Sequence, residues 1–133
     1  MKLKKIPQTI LIVEDDAPVR QALADKLTRA GFAVAVAKNG IEGLSAAKKL
    51  HPDLILLDIL MPKMDGLTMM KKLRATSDWA KKIPIILLTN VGPDEGKIMK
   101  KTIADGSAYY LVKTNWSLSA VVEKIRECLL VKP

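Results

Sequence analysis

Four apolar runs in this chain each end in a polar group that could do chemistry. Thr9 to Val13 is followed by Glu14, Asp15 and Asp16, and Leu54 to Leu57 by Asp58. Pro84 to Leu88 is followed by Thr89, and Ala108 to Val112 by Lys113. Unbroken aliphatic runs bounded by turn residues read as strands buried on both faces, as in a parallel sheet. An acid such as Asp58 at the end of such a strand is either an expensive accident or a reactive group. In a parallel sheet the C-terminal ends share one edge, so these residues would gather on one rim. Three carboxylates brought together repel one another. A hard divalent cation relieves that repulsion, and oxygen-only ligands favour Mg²⁺ over a transition metal. No His or Cys lies nearby in sequence, which argues against zinc. With a metal held by Glu14 and Asp15, Asp58 stays ionised and nucleophilic. Lys113 offers a point charge and Thr89 a hydroxyl donor. Together they make a site for phosphoryl transfer onto Asp58.

The rest of the chain supplies the elements that must position these groups. After the first strand, Pro18 falls in the first turn of a helix in which Val19, Leu23 and Leu27 recur at helical spacing, and Gly31 stops it. Phe32 to Ala37 is a short second strand and Asn39-Gly40 a turn. Ile41, Leu44, Ala47 and Leu50 mark the inward face of a second helix ended by His51-Pro52. The third strand, around Leu54 to Leu57, is followed by Pro62 and Asp65-Gly66. A third helix then turns Leu67, Met70 and Leu73 inward. The fourth strand leads past Gly92-Pro93-Asp94-Glu95 to a fourth helix running to about Ala104. Asp105-Gly106 turns the chain into the fifth strand. Asn115 is positioned to cap a last helix with Leu118, Val121, Ile125 and Leu129 on one face. Five strand–helix units in strict alternation, with no spare segment, imply an α/β doubly wound sheet with helices on both faces. In the strand order 2-1-3-4-5 ligands bind at the switch between strands one and three, where the acids lie.

Composition narrows the classes. At 133 residues the chain reads as one domain over 1–133, with a core from about 8 to 130. The hydrophobic fraction of 49% is too high for a disordered chain. The one cysteine, Cys128, excludes a disulfide framework, fits a reducing cytosol and sits in an apolar helical pattern as a core filler. No apolar run approaches the ~20 residues of a membrane span. The basic N-terminus precedes an apolar run, Ile10 to Val13, that is too short for a signal peptide, so the protein is expected to remain cytoplasmic. The net charge of +8 invites a nucleic-acid reading. The lysines are scattered, however, and aromatics make up only 4%, so no stacking platform is evident. A solvated basic surface is the simpler reading, with no direct nucleic-acid contact expected.

The segments Ile10-Leu11-Ile12-Val13-Glu14-Asp15-Asp16, Leu57 through Gly66, the Thr89 ending and Tyr110-Leu111-Val112-Lys113 together resemble the receiver domain of two-component response regulators, over nearly the whole chain. The resemblance implies a flavodoxin-like (βα)5 sandwich. It implies that Asp58 accepts a phosphoryl group from a sensor histidine kinase, a phosphotransfer protein or a small phosphodonor, with Mg²⁺ as cofactor. Glu14, Asp15, Asp58 and the backbone carbonyl of Leu60 would hold the metal, and Thr89 and Lys113 would contact the phosphoryl group. Tyr110 would be the aromatic whose rotamer follows Thr89. The output partner would bind the face made by the fourth helix, fifth strand and fifth helix. Such a domain is a switch, with no activity beyond self-catalysed phosphotransfer and slow autodephosphorylation, and the resemblance is equally compatible with a domain cut from a larger regulator.

Two departures from the family pattern stand out. The family commonly has Lys-Pro where this chain has Lys113-Thr114. A cis bond before a non-proline costs about 3 kcal/mol, so this one is expected to be trans, or else strained. Asn90 stands where a small residue is usual, beside the site. Asp16 is expected to cap the first helix, with water-mediated metal contact as the alternative. Trp79 and Trp116 read as packing residues at helix edges, and His51 as solvated. Three other classes compete with this reading. A flavodoxin-type electron carrier would need a phosphate-cradling loop where Glu14-Asp15-Asp16 stand. A haloacid-dehalogenase-type phosphatase wants a second acid where Leu60 stands. The third is a basic nucleic-acid-binding domain.

Overall fold

The computed structural model describes residues 6–89, 108–112 and 117–130. Five parallel strands form one sheet in the order β2-β1-β3-β4-β5: β1 (Thr9–Val13), β2 (Ala33–Ala37), β3 (Leu54–Asp58), β4 (Ile85–Thr89) and β5 (Tyr109–Val112). The alternation of side chains along each strand divides the core in two. Leu11, Val13, Ile55, Leu57, Ile85 and Leu87 face one layer, which also holds Met69, Met70 and Leu73. Ile10, Ile12, Leu54, Leu56, Ile86 and Leu88 face the other, with Leu23, Leu27, Val121 and Ile125. The three central strands are buried on both faces, which is why they read as continuous apolar runs. The edge strands β2 and β5 are partly exposed.

Helix α1 (Ala17–Arg29) starts at Asp16, whose Oδ1 accepts from the amide of Val19 at 3.3 Å, so the capping role expected of Asp16 holds. It ends where Gly31, at φ +99°, lets the amide of Phe32 donate back to the carbonyl of Leu27 at 3.1 Å. Helix α3 (Gly66–Arg74) is capped by Asp65, which accepts from both the amide and the hydroxyl of Thr68. Its buried face is Met69, Met70 and Leu73, with Leu67 only partly covered.

Helix α2 (Gly40–Leu50) departs from the expected pattern in two ways. Asn39-Gly40 is not a free turn. Asn39 caps the helix, accepting from the Glu42 amide at 2.9 Å while its own amide donates to the Glu42 carboxylate at 3.2 Å. Of the expected face Ile41, Leu44, Ala47 and Leu50, Ala47 is buried and Leu44 packs partly against the core, while Ile41 and Leu50 are exposed. The fully buried face is Gly40, Gly43 and Ala47, and Ile41 is 52% exposed. A β-carbon on Gly43 would come within 2.9 Å of Met69 Sδ and of both Val13 γ-carbons. The helix therefore lies so close to β1 and α3 that only a small-residue face fits at the contact, with Leu44 partly covered beside it and Ile41 and Leu50 turned outward.

A short helix, α4 (Asp78–Lys82), breaks the strict alternation before β4. Five residues carry too little periodicity to be seen as a helix in the sequence. Its C-terminal end is held by Arg74, whose Nη1 donates to the carbonyls of Ala80 at 2.8 Å and Ile83 at 2.6 Å. Burial lowers the pKa of that guanidinium. His51, expected to be solvated, is exposed but stacks on Trp79 with ring centroids 3.9 Å apart. The last helix, α5 (Leu118–Leu130), is capped by Ser117, whose Oγ accepts from the Ala120 amide at 3.1 Å. Its buried face is Val121, Val122, Ile125 and Cys128. Asn115 and the helix expected up to about Ala104 lie outside the described residues.

Candidate functional site

The parallel register explains how residues far apart in sequence reach one rim. Val13 is paired with Leu57 across β1 and β3, so Glu14 and Asp58 leave adjacent strands at the same level. Asp58 is paired with Leu88, so Thr89 stands one step further along the next strand. Glu14, Asp15 and Asp58 each offer a carboxylate oxygen, and these oxygens lie within 4.8 Å of one another. Two of the three are out of solvent: Glu14 is fully buried and Asp58 only 4% exposed. Asp15 stands at the surface.

Buried carboxylates at this separation are held against their mutual repulsion only when cations or donors compensate them. A convergent set of hard oxygen donors fits a divalent cation of the Mg²⁺ type, which takes one or two carboxylates and retains several waters. Thr89 Oγ1 is buried without a hydrogen-bond partner among the described residues. A buried orphan hydroxyl is costly unless a bound group uses it.

Two loops frame the cluster. From β1, the Glu14 amide donates to the Ala37 carbonyl at 3.1 Å, and the Asp16 amide donates to Glu14 Oε1 at 3.3 Å. From β3, the Ile59 amide donates to the Leu88 carbonyl at 3.1 Å, and the Gly66 amide returns to the Ile59 carbonyl at 2.9 Å. Between them the chain makes a tight three-residue turn. The Met64 amide donates to the Pro62 carbonyl at 2.8 Å, with Lys63 at φ +68°. Gly66 is expected from sequence only as a turn residue, and Arg20 carries no expectation at all. Gly66 backs directly onto the Asp58 carbonyl, and Arg20 Nη1 donates to the carbonyls of Glu14 and Asp15. The sequence signals were a glycine closing the loop after Asp58 and a basic residue four positions after Asp16.

The other expected site residues divide as follows. Leu60 is 58% exposed at the start of the loop after β3. Tyr110 stands on β5 opposite Leu87 and is 38% exposed. Its neighbour Tyr109 is covered by the Lys124 ammonium, 5.4 Å from the ring centroid. Lys113, Asn90, Thr114 and Trp116 fall outside the described residues. No helix of the described residues is long and apolar enough to cross a membrane.

The fold and the carboxylate cluster define an α/β receiver-type module. Comparison with known proteins gives the family: the model of the response regulator receiver domain matches residues 10–126, and the chain belongs to that family. It is 35% identical over 124 residues to protein-glutamate methylesterase/protein-glutamine glutaminase 3 of Rhodospirillum rubrum, covering 92% of this chain and 32% of that protein. It is 35% identical over 120 residues to the DNA-binding dual master transcriptional regulator RpaA of Synechocystis, covering 90% of this chain and 48% of that one. The chain thus spans less than half the length of these curated relatives. Among solved structures, the chemotaxis response regulator CheY4 of Vibrio cholerae superposes with a TM-score of 0.81 at 30% identity, covering 92% of this chain and 99% of that one. The protein is a receiver domain of the two-component response regulators, and neither the electron-carrier nor the nucleic-acid-binding alternative gains support.

Proposed function

We propose that Asp58 is the phosphoacceptor. One carboxylate oxygen attacks the phosphorus of a phosphohistidine, on a sensor kinase or phosphotransfer protein, or of a small acyl phosphate. The P–N or P–O bond to the donor breaks, the donor leaves with that electron pair, and an aspartyl phosphate forms. The observation that carries this reading is the convergence of Glu14, Asp15 and Asp58, with Asp58 buried at the end of β3. Glu14, Asp15, Asp58 and the Leu60 carbonyl would hold Mg²⁺, which when bound neutralises charge on the transferring oxygens. Thr89 donates its buried hydroxyl to the phosphoryl group, and Lys113 adds a cation.

The chain acts as one receiver domain, in the cytoplasm where its phosphodonors are, and its only chemistry is its own modification. Phosphorylation draws Thr89 toward the new anion, and Tyr110 on the next strand follows. The surface of β5, α5 and the helix expected up to about Ala104 then changes its affinity for an output protein. Leu60 offers an attacking water no polar group, so the phosphorylated form is long-lived. In Mg²⁺ without added phosphatase it keeps its label for minutes, and loss within seconds contradicts this.

The test is treatment with Mg²⁺ and acetyl phosphate, or beryllofluoride, of the wild type and of Asp58→Ala. Intact-mass measurement should show one phosphoryl group on the wild type only. Mass gain that survives in Asp58→Ala overturns the assignment.

A further inference from the structure

The three acids that leave β1 are tied to a single residue of the following helix. The Arg20 amide donates to the Asp16 carbonyl at 2.9 Å, as the first intrahelical bond of α1. Its guanidinium turns back along the loop. Nη1 donates to the Glu14 carbonyl at 2.9 Å and approaches the Asp15 carbonyl at 3.5 Å. Glu14 and Asp15 supply two of the three clustered carboxylates. Their side-chain directions follow from the backbone that Arg20 grips, because any rotation of that backbone is carried out along the side chain to the carboxylate. A rigid planar guanidinium with several donors suits this clamping of adjacent carbonyls better than an ammonium does.

We infer that Arg20 is a positioning residue for the metal pocket: it fixes the turn between β1 and α1 so that Glu14 and Asp15 converge on Asp58. This rests on the reading of Glu14, Asp15 and Asp58 as a divalent-cation site. The inference has a sign that separates it from simple electrostatics. Arg20 is a positive charge beside a site for a cation, so removing the charge alone would tighten Mg²⁺ binding. Removing a positioning bond loosens it. Outer-shell partners of metal ligands are worth about 10- to 100-fold in metal affinity.

The experiment is calorimetric titration of Mg²⁺ into the wild type, Arg20→Ala, Arg20→Met and Arg20→Lys, with urea midpoints measured on each without metal. Arg20→Met keeps the aliphatic stem and its packing, which guards against a variant that simply unfolds. The expected result is a Kd for Mg²⁺ raised about 10-fold or more in Arg20→Ala and Arg20→Met. Arg20→Lys should be intermediate, since one ammonium can reach one carbonyl. The rate of Asp58 modification by acetyl phosphate should return toward that of the wild type at saturating Mg²⁺. Unchanged or tighter Mg²⁺ binding in both Arg20→Ala and Arg20→Met overturns the inference, whatever their stability, and leaves the metal site standing. Failure of the wild type itself to bind Mg²⁺ overturns the metal site and the role of Arg20 with it.

Discussion

The backbone of Gly66 lies against the carbonyl of Asp58. A β-carbon at position 66 would collide with that oxygen and would come within 3.0 Å of the carbonyl carbon and 3.1 Å of Ile59 Cα. All three are backbone atoms at the end of β3, so none can swing aside as a side chain would. The Gly66→Ala variant should lose about 1–3 kcal/mol by urea denaturation, the usual cost of overpacking. Its modification by acetyl phosphate should slow as well, because the strand end that carries Asp58 must shift. Gly43→Ala is the control. Its new methyl would meet the side chains of Met69 and Val13, not backbone atoms at the end of β3. A similar stability loss with an unchanged modification rate is expected there. Equal rates in the two variants would show that Gly66 has no special relation to the site.

Thr89 carries a buried hydroxyl whose partner is absent from the described protein atoms. Thr89→Val replaces it with a methyl of the same shape. Removing an unsatisfied buried donor should leave stability unchanged or raise it by about 1 kcal/mol. The modification rate of Asp58 should fall on the order of 100-fold, as when one donor to a transition-state oxygen is lost. Mg²⁺ affinity should be unaffected. Loss of stability without loss of rate would make Thr89 a structural residue only.

Lys63 sits in the left-handed region at φ +68°. For a residue with a β-carbon that conformation costs about 1–2 kcal/mol. Lys63→Gly removes the strain but adds disorder to the unfolded chain, so the net change should be small, between zero and about 1 kcal/mol of stabilisation. Lys63→Val should destabilise by more than about 1 kcal/mol, because a β-branched residue tolerates this region worst. Urea midpoints of the two variants decide it, and a stabilising valine would contradict the turn.

Cys128 is buried on α5, and burial pushes its thiol pKa up, with Lys124 pulling the other way and Glu127 adding to the rise. The folded state therefore holds the proton longer than the unfolded chain, whose thiol titrates near about 8.5. The stability tied to this group is complete below that pH and is lost as the pH rises through the folded value. Unfolding free energy should decline above about pH 8.5, and this component of the slope should vanish in Cys128→Ala. Reaction of the thiol with a disulfide reagent at neutral pH should track global unfolding; fast reaction in the native protein would contradict its burial.

Much of the fold could be read from the chain because the relevant signals are local. Unbroken apolar runs mark strands buried on both sides, and the polar residue ending each run marks the rim where ligands bind. Glu14, Asp15 and Asp58 were named from that logic, and the parallel register brings their carboxylates together. Asp16 as a cap and Gly31 as a stop likewise follow from rules spanning three or four residues.

What the sequence leaves open is which surface meets which. Periodicity shows that α2 has an apolar stripe containing Ala47, but on paper Ile41 and Leu50 are as good a flank for it as Gly40 and Gly43. The distance between α2 and its neighbours, set by the packing of Val13 and Met69, chose the small face. The same holds for the five-residue α4 gripped by Arg74 and the stacking of His51 on Trp79. The sequence by itself determined the strands, their common direction and the acids at their ends, because hydrophobic runs and turn residues act over a few positions. Only the tertiary structure decided that Gly66 closes on Asp58 and that Arg20 reaches back to Glu14 and Asp15, because those contacts depend on how two loops are held in space.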